Sequence, residues 1–475
     1  MLSSEKNPDI RYCKMAQASS LTTNIVLALV VVFMTLLRQN KSLQKWFVSN
    51  VEKLLSKKSS KTRKVNILSP TLKLARDEES AGAYQPNFPK LSSGGPTLFE
   101  LTQNLIRLHE YRARGESYNG LLFQRTRQLG EVPQDQLRQL GYFTKLVKSN
   151  EGIRENAKII DKIIEHTLTK LVHSNEHDRE FTEEIEKICS EHGYEVRDGH
   201  LTQLKSSSQF PVVLSQGSQN AVHEALAHLC RDFSSYYSKE RDPLQNFIND
   251  RIKNHVIGSG SPVEKNLIVV PGAGVGGLSH GLSSTFPHMR VDSIELSALM
   301  YICNLFALGY DRDVKIRPFI QQYSGQTEFG NQLRALSAEL SKLNQCDNLN
   351  PLWGDFRQYS PNAKNFDKII VCSAYFIDTA ENVFDYLASI EALKGFCKEL
   401  HWVNVGPLKY GTKPLVQFTG DELKRLRKIR GWKDLVQTYE VDYSKGLNGY
   451  LTDYESMYQG YYGLLKFHSV FENSD

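Results

Sequence analysis

The stretch Val269-Val270-Pro271-Gly272-Ala273-Gly274-Val275-Gly276-Gly277 sets a cluster of glycines directly behind a short apolar run, Leu267 to Val270. Glycine turns tightly and lets the backbone approach a ligand closely, so such a cluster between a strand and a helix can cradle a bound group. About 20 residues further on, Glu295 stands at the end of a second apolar run, Val291 to Leu296, where a carboxylate can accept both hydroxyls of a ribose. Later still, Gly354-Asp355-Phe356 places an acid beside an aromatic ring, a pairing suited to the exocyclic amine and the face of an adenine. These residue types, in this order, describe a nucleoside-bearing cofactor held at the ends of strands.

Two spacings coexist in the loop. Gly272, Gly274 and Gly277 satisfy GxGxxG, the pattern used for dinucleotides. Gly272, Gly274 and Gly276 satisfy GxGxG, the loop of class I S-adenosylmethionine-dependent methyltransferases. The acid–aromatic pair at Asp355-Phe356 favours the second, because a dinucleotide enzyme has no need of it. A nicotinamide oxidoreductase is the lesser reading, and a ligand-free glycine turn the blandest.

The elements that must position these residues follow from hydrophobic periodicity. From Leu98 to about His255 apolar residues recur at helical spacing, as in Leu98, Leu101, Leu105, Ile106 and Leu108, or Ile159, Ile160, Ile163, Ile164, Leu168 and Leu171. Further helices are expected over Ala221–Tyr237 and Leu244–Val256. At Asn266 the texture changes to strands alternating with helices: strands at 267–270, 291–296, 368–372 and 402–405, helices over 297–308 and from about Asn382. Residues 318–350 read as a polar insertion, and the chain from Trp432 as two strands around a Tyr-rich stretch. This alternation predicts an α/β fold with a doubly wound, Rossmann-like sheet carrying helices on both faces. The expected organisation is a tail (1–20), an apolar span (21–37), a basic segment and linker (38–97), a helical region (98–260) and a cofactor-binding domain (261–475).

With 475 residues, 40% of them hydrophobic and 23% charged, the chain has ordinary globular composition, which excludes polytopic membrane, collagen-like and wholly disordered classes. Its net charge of +5 is unevenly spread: residues 38–64 hold nine Lys/Arg against one acid, Glu52, while the chain beyond is net acidic. A nucleic-acid partner is therefore not expected. Leu21 to Leu37 is uncharged and, at about 17 residues, reaches the short end of what spans a bilayer. The basic residues directly after it, beginning with Arg38, Lys41 and Lys45, predict a single-pass anchor with the carboxy-terminal side in the cytosol, the basic stretch meeting anionic lipid. The alternative location is cytoplasmic. Seven cysteines without a CxxC pair read as free thiols in a reducing compartment.

Several motifs, taken together, resemble the carnosine N-methyltransferase family. They are PGAGVGGL from Pro271, Glu295-Leu296-Ser297, Gly354-Asp355-Phe356, Phe376-Ile377-Asp378-Thr379-Ala380 and Val403-Asn404-Val405-Gly406-Pro407-Leu408, with Arg231-Asp232-Phe233-Ser234 and Glu240-Arg241-Asp242 upstream. The resemblance covers about residues 220–470. It implies an S-adenosylmethionine-dependent N-methyltransferase acting on a small imidazole, amine or peptide substrate. Carried over by position, Arg231, beside His228, holds the cofactor's carboxylate; Gly272, Gly274 and Gly276 line it; Glu295 takes the ribose; Asp355 and Phe356 flank the adenine. Asp378 contacts the substrate's amine, and Tyr461 or Tyr462 lines the substrate pocket. Three positions depart from the family: His228 stands where it has Gln, Gly411 where it has His after the PLxY run, and Glu381 where it has His before Asn382. These departures motivate an alternative, a catalytically degenerate cofactor-binding protein with an interaction role at a membrane.

Methyl transfer needs an in-line acceptor about 3 Å from the methyl group, with water excluded, and a base where the nitrogen must shed a proton. Asp378 is the candidate for the cationic acceptor, with helix capping as its bland alternative. Tyr410, His401 and Glu381 are candidates for a missing base; His401, at a strand start, is more simply structural.

Overall fold

The computed structural model describes residues 97–174, 179–204, 219–257, 265–411, 413–442 and 446–472. The expected tail, apolar span and basic linker lie outside them. Among the described residues no helix is long and apolar enough to cross a membrane.

The chain begins with helices α1 (Leu98–His109), α2 (Tyr111–Thr126), α3 (Glu131–Gln139), α4 (Tyr142–Ser174) and α5 (Arg179–Glu191). The Thr97 side chain opens α1 by accepting from the Glu100 N–H at 3.1 Å, as an N-cap should. A small hairpin, Tyr194–Arg197 with His200–Gln203, comes next. Helices α6 (Asn220–Phe233) and α7 (Ser238–Ile252) then lead into the sheet.

The central sheet has seven strands: β1 (Asn266–Pro271), β2 (Arg290–Glu295), β3 (Leu349–Trp353), β4 (Phe366–Ala374), β5 (Cys397–Gly406), β6 (Trp432–Glu440) and β7 (Leu464–Phe471). Their spatial order is β3-β2-β1-β4-β5-β7-β6. β1 to β5 pair in parallel, and β7 runs antiparallel to both β5 and β6. Between the strands lie α8 (Gly277–Thr285), α9 (Ala298–Gly309), α10 (Phe329–Leu333), α11 (Val383–Ala392) and α12 (Gly420–Ile429). All six residues of β1 are buried, as expected of a central parallel strand covered on both faces. Side chains alternate by face: Leu267 and Val269 join the core under α11 and α12, while Ile268 and Val270 join the core under α7 and α8.

A third core runs from Leu98 on α1 through α4, α6 and α9 to Trp353 on β3. Tyr301 stacks on Trp353 at 5.8 Å, and the Trp353 indole N–H donates to the Leu296 carbonyl at 3.1 Å. The helices that begin the described chain are thus packed into the edge of the sheet that carries Glu295 and Asp355.

Two features differ from the sequence reading. Strand β3 was not expected: it is five residues long, at the sheet edge, and contains Asn350 and Pro351, which hide an apolar run. The span 318–350, expected as a polar insertion, supplies buried Phe319, Ile320, Leu336 and Leu340 to the third core. The hairpin Val314–Ile316 with Leu336–Ala338 anchors it there.

The α7 face of the sheet also encloses a polar chain far from the glycine loop. Arg251 Nε donates to His468 Nδ1 at 3.2 Å. That bond puts the His468 proton on Nε2, which faces His401 Nδ1 at 3.0 Å. His401 Nε2 in turn lies 3.0 Å from Glu399 Oε1. His401 is therefore structural, not a base for catalysis. Burial pushes His401 down to about 4 and His468 to about 3, the latter helped by neighbouring His401, Arg251 and His255. A histidine held neutral in the fold but basic in the unfolded chain contributes stability above its ordinary value of 6.5, lost as pH falls toward the folded value. Denaturant unfolding at pH 7.5 and pH 5 should show a loss of about 2 kcal/mol per histidine, and His468→Gln should flatten that dependence.

Candidate functional site

In chain order the strands step outward from β1 to β2 and β3, then return to the other side of β1 with β4. Loops leaving the carboxyl ends of β1 and β4 therefore diverge and open a crevice, the place where open α/β sheets bind ligands. The Pro271–Gly277 loop leaves β1 here, and Tyr375 to Asp378 leave β4.

The glycine loop has the geometry its composition promised. Gly272, Gly274 and Gly276 all have positive φ, at 65°, 57° and 97°. At Gly274 a Cβ would meet nothing within 4 Å, so the loop presents bare backbone to open space. Glu295, at the end of β2, accepts from the Gly274 N–H (2.7 Å) and from the Ser297 N–H (2.7 Å), which fixes both carboxylate oxygens over the loop. Burial raises its pKa, and the backbone donors oppose that rise.

Helix α6 delivers His228, Arg231 and Asp232 to the same place. They line one cavity of about 110 Å³ with Gly272, Gly274, Tyr375 and Tyr450. Asp232 Oδ2 accepts from the Gly277 N–H at 3.0 Å, the first turn of α8, and its Oδ1 accepts from Arg231 at 3.2 Å. The guanidinium lies over the rings of Tyr450 (5.0 Å) and Tyr375 (5.4 Å), cation–π contacts that suit a partly desolvated charge. Burial opposes its charge, but Asp232, Glu240 and the two phenols raise its pKa, so it stays protonated. Arg231 Nε is buried without a hydrogen-bond acceptor. His228 Nε2 lies 3.3 Å from the Tyr450 hydroxyl, and burial pushes it down to about 4, so it is neutral near pH 7.

The expected adenine pair sits at the right edge but is differently employed. Asp355 follows β3, and the neighbouring Gly354 N–H donates to the Glu295 carbonyl at 2.9 Å, joining the ends of β2 and β3. Its carboxylate is already taken by Arg357, whose Nε reaches Oδ2 at 3.0 Å and Nη2 the same atom at 2.8 Å. Phe356 is only 5% exposed and packs in the core against Phe376 and Tyr359. Covering a base would need it to give up part of that packing.

At the acceptor end, Asp378 is not a helix cap: Asn382 caps α11, accepting from the Phe384 N–H at 3.2 Å. Asp378, 8% exposed, accepts instead from the Lys409 N–H at 2.9 Å, tying the loops after β4 and β5 together. Burial raises its pKa above the usual carboxylate range. Lys409 Nζ donates to the Tyr462 hydroxyl at 3.0 Å. Tyr410 is half-buried beside them, and burial raises its phenol. Tyr461 points to Gln459, its hydroxyl donating at 2.7 Å, whereas Tyr462 faces Tyr375 and Tyr450. Glu381 is exposed, so the carboxylate at that position faces solvent. At Gly411, also exposed, a Cβ would meet no atom within 4 Å.

Sequence reasoning did not assign Asp232, Tyr375, Tyr450 or Arg357 to the site. Asp232 lay inside the Arg-Asp-Phe-Ser motif and Tyr450 inside the Tyr-rich stretch; Tyr375 immediately precedes the Phe-Ile-Asp-Thr-Ala motif. Among the described residues no group of His, Cys, Asp and Glu is arranged to hold a metal ion.

The strand order, the glycine loop at the reversal and the acid ending β2 define a Rossmann-like class I methyltransferase fold. The carnosine N-methyltransferase family model matches residues 208–473, and the chain belongs to that family. It is similar to the rat carnosine N-methyltransferase, 29% identical over 52% of this chain and 62% of that protein. The fission yeast Schizosaccharomyces pombe carnosine N-methyltransferase is 23% identical over 44% of this chain and 60% of that protein. The chain thus spans less than two thirds of the length of these enzymes. An uncharacterized protein of Saccharomyces cerevisiae is 74% identical over 96% of this chain and the whole of that protein. Solved structures match weakly. A magnesium protoporphyrin IX methyltransferase from Synechocystis aligns at 12% identity over 54% of this chain and 99% of its own, with a TM-score of 0.31. A methyltransferase from Aquifex aeolicus aligns at 11% over 54% of this chain and 100% of its own, with a TM-score of 0.29.

Because Phe356 is a core side chain here, Phe356→Ala should lower stability by about 3 kcal/mol or more. Denaturant melts without any ligand measure this; an unchanged midpoint would place the ring outside the core.

Proposed function

We propose that this protein transfers the methyl group of S-adenosylmethionine to a nitrogen of a small imidazole, amine or peptide substrate. The observation that carries this is the convergence of Arg231, the glycine loop and Glu295 at the strand-order reversal, with Arg231 Nε buried and unpartnered. Arg231 would hold the cofactor's carboxylate, since a guanidinium presents donors in the fork that a carboxylate accepts. Glu295 would take the ribose hydroxyls with the lone pairs its two backbone donors leave free, and Gly274 admits the backbone approach. Asp355 and the Phe356 edge would bound the adenine. His228, neutral near pH 7, supplies a polar group where an amide stands in the family. Bound there, the cofactor supplies an electrophilic sulfonium methyl.

The acceptor half is read from Asp378 and its neighbours. A buried carboxylate with a raised pKa suits a cationic amine or a nitrogen about to lose its proton. Lys409 and Tyr462 add a cation and a phenol at the mouth. Gly411 and Glu381 replace the two family histidines, so the acceptor need not be carnosine.

Calorimetric titration of S-adenosylmethionine tests the first half. Saturable binding is expected, weakened about tenfold or more by Glu295→Ala; no binding by the unaltered chain would sink the reading. Methyl transfer from labelled cofactor to a panel of imidazole dipeptides, amines and peptides tests the second half. There Asp378→Asn should cut turnover by about 10² while cofactor affinity holds. Tight cofactor binding with no transfer across a broad panel would favour the degenerate reading.

We further propose, from the uncharged apolar run and the basic residues after it, that residues 21–37 anchor the protein with its enzymatic part on the cytosolic side. The chain should then stay with membranes through alkaline carbonate extraction, and release into the supernatant would refute the anchor.

A further inference from the structure

Glu240 touches neither the glycine loop nor the adenine edge, yet its side chain is only 1% exposed. A carboxylate removed from water must be met by donors. Its donors come from a segment distant in sequence. Oε2 accepts from the Leu451 N–H at 2.9 Å, and Oε1 from the Thr452 N–H at 2.9 Å and the Tyr454 hydroxyl at 3.2 Å. Oε2 also lies 3.9 Å from Arg231 Nε. One carboxylate therefore faces the strap formed by Asn448–Tyr462 on one side and the site's guanidinium on the other.

The strap is shaped for this contact. At Gly449 a Cβ would stand 2.4 Å from Glu240 Oε1, so only glycine allows the backbone to lie so close. Leu451 sits in the left-handed region at φ 55°, an uncommon conformation for a branched side chain, with its N–H on the carboxylate. Asn448 Nδ2 donates to the Glu240 main-chain carbonyl (3.0 Å) and to the Tyr375 hydroxyl (3.2 Å). The middle of the strap is also held from the other side. Asp453 pairs with Arg334 and accepts from Gln326 at 2.6 Å, and the Met457 N–H donates to the Gly325 carbonyl at 2.6 Å. The strap carries Tyr450 over Arg231 and, at its end, Tyr462 against Tyr375.

We infer that Glu240 is a positioning residue for the amino-acid end of the cofactor. It holds the strap closed over Arg231 and sets a negative charge 3.9 Å from the guanidinium, which keeps the group in place for the ligand's carboxylate. This rests on the S-adenosylmethionine reading above. The inference is sharp because the effect should be confined to one end of the ligand. Methylthioadenosine, which lacks the amino-acid moiety, uses the glycine loop, Glu295 and the adenine edge but not Arg231.

The experiment measures Kd for S-adenosylmethionine and for methylthioadenosine on the full chain, its Glu240→Gln variant and its Gly449→Ala variant. In Glu240→Gln an amide N–H₂ would face a backbone N–H, and in Gly449→Ala the strap is pushed off. Both variants should lose about tenfold in affinity for S-adenosylmethionine and hold methylthioadenosine within about twofold. Either variant suffices should the other fail to fold. Equal losses for both ligands would mean a merely structural role and overturn the inference, as would unchanged affinity for S-adenosylmethionine. If the unaltered chain binds methylthioadenosine but not S-adenosylmethionine, or neither, the cofactor reading itself fails and the inference with it.

Discussion

Strand order is the constraint on which the rest of the molecule depends. Because β4 returns to lie beside β1, the loops leaving those two strands part and leave a crevice at the carboxyl edge of the sheet. Each ligand-facing feature is an answer to that opening. The β1 loop must turn back under it, hence positive φ at Gly272, Gly274 and Gly276. The end of β2 must brace the loop, and Glu295 does so through the Gly274 N–H. The first turn of α8 must find an acceptor for its free N–H, and Asp232 reaches across from α6 to provide it.

Bringing Arg231 into this crevice has a cost that the surrounding residues offset. A guanidinium taken from water is stable only with opposite charge and polarizable faces around it. Asp232 and Glu240 supply the charge, at 3.2 and 3.9 Å, and Tyr375 and Tyr450 supply the faces. Two of these four residues stand outside helices α6 and α7, on the loop after β4 and on the strap before β7. The opposite charges thus come from residues near Arg231 in sequence, and the aromatic faces from the last third of the chain. The span 318–348, which precedes β3, joins in through Arg334 and Gln326.

The parts of this arrangement that were legible in the sequence are those governed by local rules. Strand β1, the glycine loop and Glu295 were readable because backbone geometry and the period of apolar residues decide them within some thirty positions. The alternation of strands and helices was readable for the same reason. Strand β3 was not, because an edge strand with Asn350 and Pro351 carries little apolar signal. Nor was the engagement of Asp378 by the Lys409 N–H, a contact set by tertiary structure, or that of Asp355 by Arg357 two residues on, which depends on the local turn and rotamers. Tyr450 was visible only as one of a run of tyrosines; its place over Arg231 depends on hydrogen bonds to a residue more than two hundred positions earlier.

The two halves of the site are built from different material, and this bears on how such a protein can change substrate. The cofactor half stands on strand ends and helix termini, where moving one residue disturbs sheet register or a helix cap. The proposed acceptor half stands on the loops after β4 and β5 and on the Tyr-rich strap, joined by single hydrogen bonds such as Lys409 to Tyr462. Gly411 illustrates the difference: it is exposed, and a side chain there would meet no atom within 4 Å of its Cβ. Gly272 is the contrary case, since a Cβ would stand 2.6 Å from Phe376. Substitution at the first position leaves the core untouched, whereas substitution at the second strains the loop and the core together. Glu381, exposed like Gly411, falls with the first kind, whereas Arg231, the glycine loop and Glu295 are bound into the packing of the sheet and helices.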